Sequence, residues 1–166
     1  MDRRKFIVNG SLVSAGLLMD KKLAVSAKGT DNDGLTLNPV VISTWDFGSK
    51  ANEVAWKIID DGGKSLDAVE QGIRIIEADE DNLSVGIGGL PDRDGVVTLD
   101  ACIMDEKGRA GSVTFLQDMA HPISVARMVM EKTPHVMLSG EGALQFALEN
   151  GFSRQKTGCF HLFGHT

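Results

Sequence analysis

The chain has 166 residues, a formal net charge of −6, 42% hydrophobic residues and 24% charged ones, the composition of an ordinary globular domain or of part of a larger one. The acidic balance argues against a nucleic-acid partner, which needs a basic surface to release phosphate counterions. Two cysteines, Cys102 and Cys159, are too few for a disulfide framework or a structural zinc site, and no apolar run reaches the roughly 18–20 residues of a membrane span.

The first 27 residues read as an address. Arg3, Arg4 and Lys5 precede a mostly apolar stretch from Phe6 to Met19, and Val25-Ser26-Ala27 offers small residues for a signal peptidase. The Arg3-Arg4 pair resembles a twin-arginine export signal, which predicts a periplasmic location. The charged Asp20-Lys21-Lys22, between apolar region and cleavage point, departs from that pattern. Residues 28–37 (KGTDNDGLTL) read as a flexible lead-in.

From Asn38 on, the periodicity alternates between types. PVVIST (Pro39–Thr44) is a β-branched run expected to form a buried strand. SKANEVAWKIIDDGG then puts Ala51, Val54, Ala55, Ile58 and Ile59 on one helical face, with Ser49 as N-cap and Gly62-Gly63 as stop. Ser65 can cap a second helix whose stripe is Leu66, Val69, Gly72, Ile73 and Ile76. After the acidic Ala78–Asn82 comes the glycine-rich SVGIGGLPDRDG. VVTLDACIM (Val96–Met104) alternates as a strand, Asp105–Gly108 is a turn, and GSVTFL returns as the second arm of a hairpin. PISVARMVMEKT predicts a helix with Pro122 in its first turn, HVMLSG a short strand, and GEGALQFALENGF a last helix stopped by Gly151. The order β-α-α-β-β-α-(β)-α points to an α+β sandwich, with few strands for a two-sheet core.

Isolated chemical motifs are weak. Gly86-Ile87-Gly88-Gly89 lacks the Lys-Ser/Thr of a phosphate loop, so close backbone approach is the better reading. Asp92-Arg93-Asp94-Gly95 lacks the distal acid of a calcium loop and reads as a charged turn. Asp67 suits the first turn of a helix. Asp100, in an alternating strand, needs either solvent or a hydrogen-bond partner. Trp45 and Phe47 follow the first run, where aromatics either pack a core or wall a pocket, and Trp56 reads as core or partner surface. Cys159, His161 and His165 have metal-like spacing without a fourth ligand, so no metal site is assigned. His121 and His135, beside prolines at helix boundaries, read as structural. No catalytic residue is identified within the chain.

Taken together, VISTWDFGSKANEVAW, GGKSLDAVEQGI, SVGIGGLPDRDGVVTLDACIMDEKG and PISVARMVMEKTPHVMLSGEGALQFALENGF resemble the N-terminal α part of the glycosylasparaginases, N-terminal-nucleophile hydrolases, over residues 38–152. The related plant-type asparaginases and isoaspartyl peptidases typically open with His-Gly-Gly-Ala-Gly where this chain has Ser43-Thr44-Trp45-Asp46-Phe47-Gly48, which favours the glycosylasparaginase branch. The resemblance implies a four-layer αββα sandwich, made as a precursor that cuts itself before a threonine. The freed threonine is nucleophile and its own amine the base, and no metal or organic cofactor is involved. It further implies a small-molecule glycosylated asparagine or asparagine-like substrate, a β-subunit partner and a dimer of αβ dimers. Residue by residue, Trp45 matches the tryptophan lining the aspartyl pocket, Phe47 a neighbouring wall, and Ser84 a serine beside the self-cleavage centre. The last 14 residues, SRQKTGCFHLFGHT, hold none of the 23 acidic residues. With the resemblance fading there, they read as a divergent tail (153–166) of a truncated or frameshifted chain without its β-subunit, expected to be inactive alone.

Overall fold

The structure, a computed structural model, describes residues 38–157. The expected export signal, the lead-in and the Cys159/His161/His165 set lie outside the described residues.

Helices α1 (Gly48–Asp60) and α2 (Ser65–Glu77) form a hairpin joined by a four-residue turn in which Gly62 has φ +80°. Their seam is built from small residues. Gly48, Ala51 and Ala55 of α1 and Ala68 and Gly72 of α2 are buried, and a Cβ on Gly72 would lie 2.7 Å from the Ala51 carbonyl oxygen. Backbones this close leave no room for large side chains at the contact line. The apolar stripe expected on α2 is therefore rotated. Gly72 and Ile76 are inside as expected, but Val69 and Ile73 are 48% and 37% exposed while Ala68 takes the interior position. The expected caps Ser49 and Ser65 lie inside the helices, and Phe47 and Lys64 occupy the N-cap positions without side-chain hydrogen bonds.

Strands β1 (Leu99–Met104) and β2 (Ala110–Leu116) pair antiparallel, and β3 (Met137–Ser139) joins β2 in parallel, giving the order β1-β2-β3. The hairpin turn is stapled by Asp105. Its carboxylate accepts the Lys107 and Arg109 amides at 3.0 and 2.9 Å and the Arg109 guanidinium at 2.7 Å. Burial would raise its pKa, but these bonds, the Arg109 amide first, hold it below the ordinary range. The alternation read from the sequence holds: Val97, Leu99 and Ile103 are buried, while Val96, Asp100, Cys102 and Met104 are exposed. Helices α3 (Pro122–Lys132) and α4 (Gly140–Glu149) close the inner face around Val113, Leu116, Val125, Val129 and Leu144. Gly111 presses β2 so tightly onto α3 that a Cβ would overlap the Ala126 carbonyl.

Helix α2 is tied to α3 by charge. Arg127 donates to Asp67 at 2.6 Å, Glu70 at 2.7 Å and Glu131 at 2.9 Å. Burial works against the guanidinium charge, and the bonds from Glu131, Asp67 and Glu70 outweigh it, raising its pKa. Ser124 accepts from Arg74 at 2.8 Å and donates to Glu70 at 2.5 Å.

The α+β class is observed, as one three-stranded sheet with α3 and α4 against one face. One element differs from expectation. Residues 39–44 form no strand, and Val40 and Ile42 are 72% and 83% exposed. β-branched residues favour a strand only where a neighbouring strand satisfies the backbone, and none lies alongside this segment among the described residues. It is held instead by Ser43, whose hydroxyl donates to Asn52 of α1 at 2.6 Å.

The Gly72 contact sets a test. Alanine in a helix interior is ordinarily about 1 kcal/mol better than glycine, but a methyl driven against a backbone carbonyl costs about 1–3 kcal/mol. Gly72→Ala is expected to lose roughly 1 kcal/mol net, read as a lower urea midpoint with unchanged slope.

Candidate functional site

Trp45, Phe47 and Ser84 come together along one cleft of about 690 Å³. Trp45 and Phe47 lie on the turn that opens α1, where the Gly48 amide donates to the Trp45 carbonyl at 3.0 Å and the Phe47 amide to the Asp46 carboxylate at 2.8 Å. The turn stacks the two rings, 6.2 Å between centroids and 3° between planes, an offset aromatic pair. Trp45 is 69% exposed, so it is a wall and not core. Val69 and Ile73, displaced from the helix seam, line the same cleft.

Ser84 sits at the start of the glycine run. Asn82 Oδ1 accepts the Ser84 and Val85 amides at 2.9 and 3.3 Å. Gly86, with φ +72°, then lies directly on the Glu77 backbone, where a Cβ would overlap the main chain, and Gly88 does the same over Glu80. The run is thus a tight loop folded onto the end of α2, in line with the close-approach reading. Asp92–Gly95 is the charged turn: Asp92 Oδ1 accepts the Asp94 and Val96 amides, both at 2.9 Å.

Asp100 of β1 and Thr98 just before it line the cleft. The Asp100 carboxylate accepts the Thr114 hydroxyl at 2.7 Å and the Phe115 amide at 2.8 Å, which answers the question its position raised. These residues form an irregularity in the β1–β2 register, and Phe115 takes φ +52°. A non-glycine residue there is strained, and the carboxylate pins it.

Other residues singled out by sequence lie apart. Trp56 is half-exposed in a separate hollow with Pro39 and Val40, Asp67 is engaged with Arg127, and His135 is exposed on the segment after α3. No group of three or more potential metal ligands occurs among the described residues, and none of their helices is long and apolar enough to cross a membrane.

Sequence reasoning missed Glu77, which is 3% exposed and lines the cleft floor with Pro122 and Ile123. Its Oε1 accepts the Ile123 amide at 2.9 Å. Its Oε2 lies 3.4 Å from His121 Nδ1, and neither of these two buried atoms has a well-formed hydrogen bond. Burial raises the Glu77 pKa, against the lowering influence of His121, the Ile123 amide and Arg74. An acid at the head of an acidic run looks solvated in the sequence. Its burial comes from tertiary neighbours, the glycine loop on its main chain and the head of α3 at its carboxylate.

The family model described as asparaginase matches residues 19–161. The chain belongs to the asparaginase family. The match extends beyond residues 38–152 at both ends. A relative from Elizabethkingia miricola, N(4)-(Beta-N-acetylglucosaminyl)-L-asparaginase, is 52% identical over 154 residues, 93% of this chain and 45% of that protein. The protein of the same name from Rattus norvegicus is 42% identical over 70% of the chain and 34% of its own length. An isoaspartyl peptidase from Salmonella typhimurium is 40% identical over 64% of the chain and 34% of its length. The chain thus spans less than half the length of these curated relatives. The cleft gathers the three residues that the family resemblance singled out.

The glycine loop gives a test of the site's frame. Gly86→Ala combines a positive φ, costing about 1–2 kcal/mol, with overlap of the Glu77 backbone, and is expected to lose at least 2 kcal/mol in all. Gly142→Ala in α4, with nothing within 4 Å, is the control and is expected to gain up to about 1 kcal/mol. Urea denaturation of both variants measures the contrast.

Proposed function

We propose that this chain forms the substrate-binding wall of an amidohydrolase that cleaves the amide between N-acetylglucosamine and asparagine, releasing aspartate and the aminosugar. The observation that carries this reading is the Trp45–Phe47 pair stacked at 6.2 Å in one cleft with Ser84, in a chain 52% identical to a protein named for that activity. The aromatic pair is assigned to the aspartyl part of the substrate, since flat apolar walls fix orientation while polar groups elsewhere supply specificity. Ser84 is assigned to support of self-cleavage.

The chemical step is proposed to use a threonine freed by autoproteolysis and belonging to a β-subunit. Its hydroxyl attacks the amide carbonyl, and its α-amine, with an ordinary pKa near ~7.7–8, takes the proton as general base. The aminosugar leaves, and water releases aspartate from the acyl-enzyme. This reading gives the α part substrate binding and takes the nucleophile from the β-subunit, and the 166 residues alone are expected to be inactive. A four-layer αββα sandwich would cover the exposed outer face of the sheet, at Asp100, Cys102 and Met104, and a dimer of αβ dimers is the proposed assembly. Export by the twin-arginine route to the periplasm is proposed from Arg3 and Arg4.

The second reading is hydrolysis of asparagine or isoaspartyl peptides. It is supported by the 40% identity to the Salmonella protein and opposed by Ser43–Gly48 in place of the His-Gly-Gly-Ala-Gly opening. A non-catalytic exported binding module is the remaining alternative.

Activity is testable by co-expressing the chain with the carboxy-terminal half of the Elizabethkingia relative. Hydrolysis of N-acetylglucosaminyl-asparagine is expected from the pair and not from the chain alone, and Trp45→Ala is expected to lower kcat/KM at least tenfold. Turnover by the chain alone, or full activity of Trp45→Ala, would overturn the reading. Isoaspartyl dipeptide cleavage without glycosylasparagine cleavage would decide for the second.

A further inference from the structure

Glu77 stands where three parts of the cleft meet. It ends α2, its main chain is the seat on which Gly86 rests, and its side chain accepts the Ile123 amide in the first turn of α3. A carboxylate there satisfies an otherwise free amide and complements the helix dipole. Within 3.4 Å of its other oxygen is His121 Nδ1, from the segment that enters α3. Both atoms are buried with no other partner, which is costly unless a proton lies between them.

The charged groups around this point are otherwise engaged. Arg74, one turn back on α2, donates to Ser124 at 2.8 Å. Lys50 of α1 approaches Asp79 at 3.5 Å. Arg127 of α3 is held by Asp67, Glu70 and Glu131. No arginine or lysine closes on the Glu77 carboxylate among the described ion pairs. Its compensation comes from the Ile123 amide, from His121 and, at longer range, from Arg74.

We propose that Glu77 is a proton-bearing positioning residue: one proton held between Glu77 Oε2 and His121 Nδ1 locks the Ser84–Gly89 loop and the head of α3 into the cleft's closed form. That proton is the one the pair carries beyond the neutral imidazole's own, so with it present the pair is neutral overall and stays buried. Without it, the site keeps an uncompensated carboxylate charge even when a neutral imidazole donates to it, and water reaches that charge only if the loop or the α3 head lifts. The sign follows from burial, which favours the protonated acid. The clasp is tight at low pH and loosens as pH rises through the raised Glu77 value. The inference concerns the frame of the cleft and stands apart from the reaction proposed for it.

The test is amide hydrogen exchange on the full chain from pH 5 to 8.5, corrected for the intrinsic rate, at Ile123 and residues 84–89. In the native chain, protection at these amides is expected to fall at least tenfold across the range, while the β1–β2 hairpin keeps its protection. Glu77→Gln retains an acceptor for Ile123 and offers an amide donor to His121, so protection is expected to stay high and independent of pH. His121→Asn leaves the titratable carboxylate with a neutral donor only, so protection is expected still to fall as pH rises. Constant protection in the native chain, or the native pH dependence persisting in Glu77→Gln, would overturn the proposal. Neither comparison requires a destabilised variant to fold.

Discussion

Main chain resting on main chain is the constraint from which the rest of this structure follows. At Gly72 on Ala51, Gly86 on Glu77 and Gly111 on Ala126, there is no room for a Cβ. The first contact brings α1 and α2 together along alanines, the second folds the Ser84 loop back onto the end of α2, and the third seats β2 on α3. Each holds two elements at a separation that excludes a Cβ, because backbone cannot rotate away as a side chain can. The cleft is a consequence. Once small residues take the α1–α2 seam, Val69 and Ile73 are turned out of it and become cleft lining.

This explains which parts of the fold were legible in the sequence. The hairpin was, because period-two alternation from Val96 to Met104 and the Asp105–Gly108 turn are local signals. The ends of α1 and α4 were legible from the stops Gly62-Gly63 and Gly151, and the start of α3 from Pro122. The facing of α2 was not. A hydrophobicity stripe assumes that the largest apolar residues go inward, and a backbone-to-backbone contact inverts that preference in favour of Ala68 and Gly72. The segment from Pro39 to Thr44 misled for a different reason: β-branched composition reports fitness for a sheet, not the presence of a neighbour.

The site was legible in a similarly uneven way. Ser84 was reached by resemblance alone, and for Trp45 and Phe47 the resemblance decided between the core and pocket readings that their position left open. Their meeting in one cleft depends on a turn at the head of α1 and a loop at the tail of α2, elements made adjacent only by the helix hairpin. Glu77 was hidden altogether. Its local context, a helix end running into Ala78–Asn82, is that of a solvated acid, and its burial is a tertiary fact, with the glycine loop on its main chain and the head of α3 against its side chain.

Two carboxylates on this cleft therefore carry different physics. Asp100 is exposed and holds its strand irregularity through two donors, the Thr114 hydroxyl and the Phe115 amide. Its charge is solvated, so its hydrogen bonds offset the strain of Phe115 without a desolvation penalty. Glu77 has one backbone donor, an imidazole at 3.4 Å and almost no water. A buried charge with incomplete partners is resolved either by a proton or by movement. The backbone contact of Gly86 on Glu77 restricts movement there, so the proton is the cheaper resolution, and the stability of the cleft floor becomes tied to pH through a residue beneath the aromatic wall.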